Sequence, residues 1–203
     1  MRRMARADAP IVVVLDRLVL LLMLAAVAAV LTAAMVLQYA FGEIPCPLCL
    51  LQRVAMFGCC LGLILQLRGE GPERGPERGT ERGTERGSGI ALVFALLLLV
   101  IAARQTLLDI VPRPDHAYVG QAILGIHMAV WSVVIAVALL LGFAVRLALF
   151  GAPRAAPPAA GSALRRCARG LELHVVLLCT INFVSVVLQC GLGACHTSDY
   201  RLL

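Results

Sequence analysis

Apolar residues gather into five runs along this chain, separated by polar, Pro-rich or Gly-rich connections. The runs cover Leu18–Leu37, Pro47–Leu67, Ile90–Val111, Ala122–Val145 and Leu171–Leu188. About twenty helical residues rising ~1.5 Å each span the ~30 Å of bilayer hydrocarbon. Backbone in lipid must satisfy its own hydrogen bonds, so helices are the elements these runs predict. The basic opening "MRRMARADAP" has the look of an export signal, but the run after it is longer than a signal core, and a retained anchor is expected. Arg104, Gln105 and Asp109 interrupt the third run, and such residues belong at the interface or in a protein interior.

Composition agrees with a membrane protein. The chain has 203 residues, and 61% of them are hydrophobic, against about half in soluble domains. Every one of the 18 basic residues is arginine. The net charge of +6 does not point to nucleic acid, because the arginines are neither clustered on one element nor interleaved with aromatics. They sort by side instead. Fourteen lie in the amino terminus (Arg2, Arg3, Arg6, Arg17), the second-to-third connection (Arg68, Arg74, Arg78, Arg82, Arg86) and the fourth-to-fifth connection (Arg146, Arg154, Arg165, Arg166, Arg169). Only Arg104, Arg113 and Arg201 fall on the opposite side, and Arg53 lies inside a span. The positive-inside rule then makes the amino terminus cytoplasmic and the carboxy terminus extracytoplasmic.

The expected organisation follows in chain order. A cytoplasmic amino terminus (1–17) leads into the first two transmembrane helices (18–67). A cytoplasmic low-complexity linker (68–89) contains "GPERGPERGTERGTERG", a charged Gly-rich repeat expected to be a flexible connection. The third and fourth helices (90–148), a cytoplasmic Pro/Ala-rich linker (149–170), and a fifth helix with a cysteine-bearing tail (171–203) complete the chain. The fold class is all-α: an integral membrane bundle with a four-helix core and a fifth transmembrane helix.

This topology brings two cysteine pairs to the oxidising face, where disulfides persist. Cys46 and Cys49 open the second span in "PCPLC", and Cys190 and Cys195 follow the fifth in "QCGLGAC". Pro47 suits the first turn of a helix. Cys46 then becomes the cap and Cys49 a first-turn residue, where unpaired N–H groups and the helix dipole favour a thiolate. Arg53 lies four residues on, one turn deeper on the same face. Cys59, Cys60 and Cys179 fall within apolar runs and read as small packing residues. Cys167 is assigned to the linker, and His127 and Trp131 to one face of the fourth helix.

The segment "PCPLCLLQRVAMFG" closely resembles the one that opens the second helix of the disulfide bond formation protein B family, DsbB. "AARQTLLDIVP" is similar to the end of that family's third helix and "ILGIHMAVWSVV" to the start of its fourth. The resemblance implies a thiol oxidase of the bacterial inner membrane. Such a protein takes electrons from a periplasmic thioredoxin-fold, DsbA-like partner and passes them to a quinone, ubiquinone or menaquinone. It implies that Cys46 and Cys49 are the quinone-coupled pair, that Arg53 lies beside the quinone, and that Gln105 faces the same region.

The chain departs from the better-known members in one respect. Their long third-to-fourth loop carries a second cysteine pair, whereas "VPRPDHAYVGQ" is short and has none. Cys190 and Cys195 are therefore expected to act as a relocated shuttle pair, with a static staple of the carboxy terminus as the alternative. Gly191 and Gly193 are expected to end the fifth helix there. Two other functions fit parts of the pattern. One is a zinc protein using both cysteine pairs as four ligands, and the other is a quinone reductase of the vitamin K epoxide reductase type. Apart from the four-cysteine possibility, the sequence offers no metal-ligand cluster.

Overall fold

A computed structural model describes residues 9–42, 44–69, 79–110, 122–123, 125–150 and 162–191. The described residues form five helices: α1 (Ala9–Ala40), α2 (Pro47–Gly69), α3 (Gly79–Ile110), α4 (Met128–Phe150) and α5 (Ser162–Cys190). All five are long and apolar enough to cross a membrane. A two-residue ladder precedes α4: β1 (Ala122–Ile123) pairs antiparallel with β2 (Ile126–His127).

The bundle is apolar outside and partly polar inside. Leu22, Val100, Leu149 and Leu173 are exposed, whereas Gln52, Arg53, Gln66, Gln105, Arg146 and Gln189 are buried. Water would favour the reverse arrangement; lipid favours this one, because polar groups find partners only between helices. Leu20, Leu24 and Leu31 of α1 meet Leu63 of α2, Leu98 of α3 and Phe143 of α4 in the apolar core.

Helices α2 and α3 approach so closely that their contact excludes side chains. A Cβ added at Gly62 would lie 2.5 Å from the Ala91 backbone nitrogen and 2.6 Å from the Gly87 carbonyl oxygen. A Cβ at Gly58 would fall into the Phe94 ring. Small residues at four-residue spacing let helix backbones pack tightly in membranes, and Gly87, Ala91 and Ala95 provide that stripe on α3. Replacing Gly62 by Val should therefore cost about 1–3 kcal/mol through overpacking. Gly89→Ala, where nothing lies within 4 Å of the new Cβ, should be neutral or slightly stabilising. Thermal unfolding followed by helical circular dichroism in detergent measures both. Equal midpoints for the two variants would mean that the close approach does not exist.

Several expected boundaries move. Helix α3 starts at Gly79, not Ile90, so the second half of the charged repeat is helical. Glu and Arg are good helix formers, and Gly87, the last glycine of the repeat, is a packing residue against α2. The first half of the repeat lies outside the described residues. The fourth helix starts at Met128 rather than Ala122, because Gly125 adopts a φ of 75° and turns the chain into the small ladder. His127 is consequently a strand residue and shares no helical face with Trp131. The fifth helix begins at Ser162, so the preceding linker is shorter than its composition suggests, and Cys167 is an exposed helical residue. Cys59 and Cys60 are buried as expected, but Cys179 is exposed on the outer face of α5 and is no packing residue.

At the end of the bundle away from Cys46, an ion pair ties three helices. Arg146 of α4 donates from Nε to Asp16 Oδ1 at 2.6 Å and from a terminal nitrogen to Oδ2 at 2.9 Å. Its other terminal nitrogen donates to Gln66 Oε1 of α2 at 2.6 Å. Arg68 also pairs with Glu172 of α5 at 2.8 Å.

Candidate functional site

The head of α2 is built around a sulfur cap. The Leu50 N–H donates to the Cys46 carbonyl at 3.0 Å, which makes Cys46 the residue before the first helical turn. The Cys49 N–H donates to Cys46 Sγ at 3.2 Å. A cysteine here does what serine or aspartate does at ordinary helix starts: its side chain accepts from one of the orphan N–H groups. Pro47 occupies the first helical position, where it has no N–H to leave unpaired.

Cys46 and Cys49 are both free thiols and half-buried. The Cys46 thiol titrates well above the ordinary thiol range, chiefly because it hydrogen-bonds to the Cys49 sulfur and secondly because it is desolvated. The backbone N–H groups of Cys49 and Leu48 pull the other way and are outweighed. The neighbouring Cys49 sulfur and burial therefore favour the protonated form of Cys46.

Gln105 of α3 reaches over both sulfurs. Its Nε2 lies 3.7 Å from Cys46 Sγ and 3.6 Å from Cys49 Sγ, and it donates towards each. Behind it, Gln52 Nε2 donates to Gln105 Oε1 at 2.8 Å, and Ser132 Oγ of α4 donates to Gln52 Oε1 at 2.8 Å. Gln52 and Ser132 were not singled out by sequence. Gln52 adjoins Arg53 and is a polar residue in a span, which is the signal that could have drawn attention to it.

Arg53 points in another direction, towards α1 and α5. One terminal nitrogen donates to Gln38 Oε1 at 2.6 Å and to Asn182 Oδ1 at 3.4 Å, and the other to the Ala34 carbonyl at 3.2 Å. These three acceptors are neutral oxygens that solvate the guanidinium. Arg146 is held by the Asp16 carboxylate. Arg53 is only 8% exposed, and it lies one helical turn below Cys49. The site thus combines two thiols, an amide donor aimed at them, and a buried cation solvated by neutral oxygens.

The fifth helix, beside the other four, also contributes to this site. Asn182 reaches Arg53, and Gln189 Nε2 donates to the Pro45 carbonyl at 2.9 Å. Tyr39 of α1 and Ser185 of α5 are also hydrogen-bonded. Gln189 immediately precedes Cys190, which is buried and disulfide-bonded. The end of α5 therefore lies against the segment leading into Cys46. Gly191 closes α5 with a φ of 58°, and its N–H donates to the Val187 carbonyl at 2.8 Å, a left-handed helix stop of the expected kind. Cys195 and Gly193 lie outside the described residues. Of the expected site residues, Cys46, Cys49, Arg53 and Gln105 come together at one end of the bundle, with Cys190 on the adjoining helix end.

Residues 16–117 match the family described as Disulfide bond formation protein DsbB. The match takes in most of α1, all of α2 and α3, and the Cys46, Cys49, Arg53 and Gln105 positions. Comparisons with curated proteins and with solved structures return no match. A five-helix membrane bundle with a capped Cys-x-x-Cys pair, matched over half its length, belongs to the DsbB family, membrane oxidoreductases of disulfide bond formation.

Proposed function

We propose that this chain is a quinone-linked thiol oxidase of the bacterial inner membrane. In this reading it reoxidises a periplasmic thioredoxin-fold partner of the DsbA type. The observation that carries the proposal is the meeting of Cys46, Cys49 and the Gln105 NH2 group at the head of α2, with a buried arginine, Arg53, one helical turn below Cys49. A membrane oxidant with carbonyl oxygens needs donors and positive charge next to the thiols, and Arg53 and Gln105 are the residues that would hold it. When bound, ubiquinone or menaquinone supplies an acceptor for two electrons and two protons, which is what a dithiol gives up in closing to a disulfide.

The chain's own residues do the rest. The partner's thiolate attacks the Cys190–Cys195 disulfide, and its second thiol completes the partner's disulfide, leaving Cys190 and Cys195 reduced. A thiolate of that pair then attacks the Cys46–Cys49 disulfide, and exchange through a mixed disulfide leaves Cys46 and Cys49 reduced. Two facts support Cys190 as the relay. It is disulfide-bonded while the other six described cysteines are free, and the Gln189–Pro45 hydrogen bond keeps its helix end beside Cys46. The arginine distribution supports an orientation with the amino terminus in the cytoplasm and the second pair in the periplasm.

The zinc reading is disfavoured, because a sulfur engaged in a disulfide is not the thiolate that zinc requires. The family match counts against the vitamin K epoxide reductase type. The test is quinone reduction by the purified, detergent-solubilised protein supplied with a reduced thioredoxin-fold dithiol. Turnover is expected, and Cys49→Ala should lower it to the uncatalysed rate. Wild-type turnover in Cys49→Ala, or none with any quinone alongside stoichiometric bound zinc, refutes the proposal.

A further inference from the structure

Three buried side chains from three helices form a directed hydrogen-bond chain that ends on the thiols: Ser132 of α4, Gln52 of α2 and Gln105 of α3. An amide has two unlike ends, an accepting oxygen and a donating NH2 group. Gln105 can present either end to the sulfurs. Its oxygen is occupied by the Gln52 NH2 at 2.8 Å, and so its NH2 faces Cys46 and Cys49. The same choice recurs at Gln52, whose oxygen receives the Ser132 hydroxyl at 2.8 Å, which turns its NH2 towards Gln105.

The direction of the whole chain therefore rests on one hydroxyl proton. Ser132 Oγ has a second acceptor, the Met128 carbonyl at 3.3 Å one turn earlier in α4. With the proton turned that way, Ser132 accepts from Gln52, both amides reverse, and the Gln105 oxygen faces the sulfurs. An oxygen there can accept from a thiol but repels a thiolate. The direction with NH2 on sulfur stabilises the nucleophilic, reduced form of the pair.

We propose that Ser132 and Gln52 are positioning residues that aim the Gln105 NH2 at the Cys46–Cys49 pair and thereby set its redox potential. This rests on the reading of that pair as the redox centre. Neither residue touches sulfur, so both act only through Gln105. Ser132 lies beyond the segment matched to the family; α4 would thus tune chemistry carried by α2 and α3.

The experiment equilibrates the full-length protein in detergent with graded ratios of reduced and oxidised dithiothreitol. Free thiols are then alkylated, and the peptide carrying Cys46 and Cys49 is weighed. Ser132→Ala and Gln52→Met should each shift the equilibrium about tenfold towards the disulfide, equivalent to ~30 mV more reducing. Ser132→Thr, which keeps the hydroxyl, should restore the wild-type value. Ser132→Ala should add nothing in a Gln105→Leu background. A mere packing role moves the thermal midpoint but predicts neither the Thr rescue nor the loss of effect without Gln105. Wild-type potentials in both Ser132→Ala and Gln52→Met, or a Thr variant displaced as far as the Ala variant, overturn the proposal. If Cys49→Ala retains quinone turnover, the underlying reading fails instead, and that assay is independent of the potential.

Discussion

Replacing Arg53 by Met is expected to lower quinone-linked turnover by about a hundredfold to a thousandfold, the loss usual when a preorganised charge of ~3–4 kcal/mol is withdrawn from a reacting centre. Met keeps much of the arginine's apolar stem and so separates charge from packing. The argument starts from the partners. Gln38, Asn182 and the Ala34 carbonyl fix the guanidinium from two other helices but bring no negative charge. A buried cation in a span is costly, and the cost makes sense if charge appears nearby during turnover, on a thiolate or on the reduced acceptor. Arg53→Lys should recover part of the activity, about tenfold below wild type. It restores the charge but lacks the planar fork of five donors that bridges all three acceptors at once. Both variants should also unfold at lower temperature, because buried amide oxygens lose their donors. The two effects separate through Gln38→Leu, which loosens the same cage and retains the charge. A Met variant with wild-type turnover would end the electrostatic reading of Arg53.

Much of this site was legible in the sequence because it is local. Pro47 and the cysteine spacing predict a helix start with one sulfur as its cap, and the structure has Cys46 Sγ accepting from the Cys49 N–H. Arg53 follows from helical spacing alone. The five spans follow from composition, since lipid leaves helices as the available solution. What depended on tertiary pairing was not legible. Gly87 looks like any glycine of a charged repeat until Gly62 is placed opposite it. Arg146 counts as one more linker arginine until Asp16, 130 residues away, neutralises it. Gln52, Gln105 and Ser132 are three polar residues in three runs, and nothing in a single sequence says that they join. The fifth helix was expected from its apolar run, but the hydrogen bonds by which Asn182 and Gln189 reach Arg53 and Pro45 were not legible.

The second large effect concerns that helix. Replacing Cys190 and Cys195 together by Ala is expected to reduce oxidation of a thioredoxin-fold partner at least a hundredfold, while quinone reduction driven by dithiothreitol stays within about twofold of wild type. The asymmetry follows from size. A small dithiol can reach Cys46 and Cys49 directly, since both are only half-buried. A folded partner meets a pair flanked by the helix start, the Gln105 side chain and the end of α5, with only a short third-to-fourth connection in the sequence to extend the reach. In the relay reading Cys190, at the end of α5 just before the left-handed Gly191, begins the pair that supplies that reach. The same bond acting only as a staple gives a different pattern: both assays fall together with the thermal midpoint, or neither falls. The partner assay and the small-dithiol assay on one double variant therefore decide between them. Equal activities in both would leave Cys46–Cys49 to meet the partner alone.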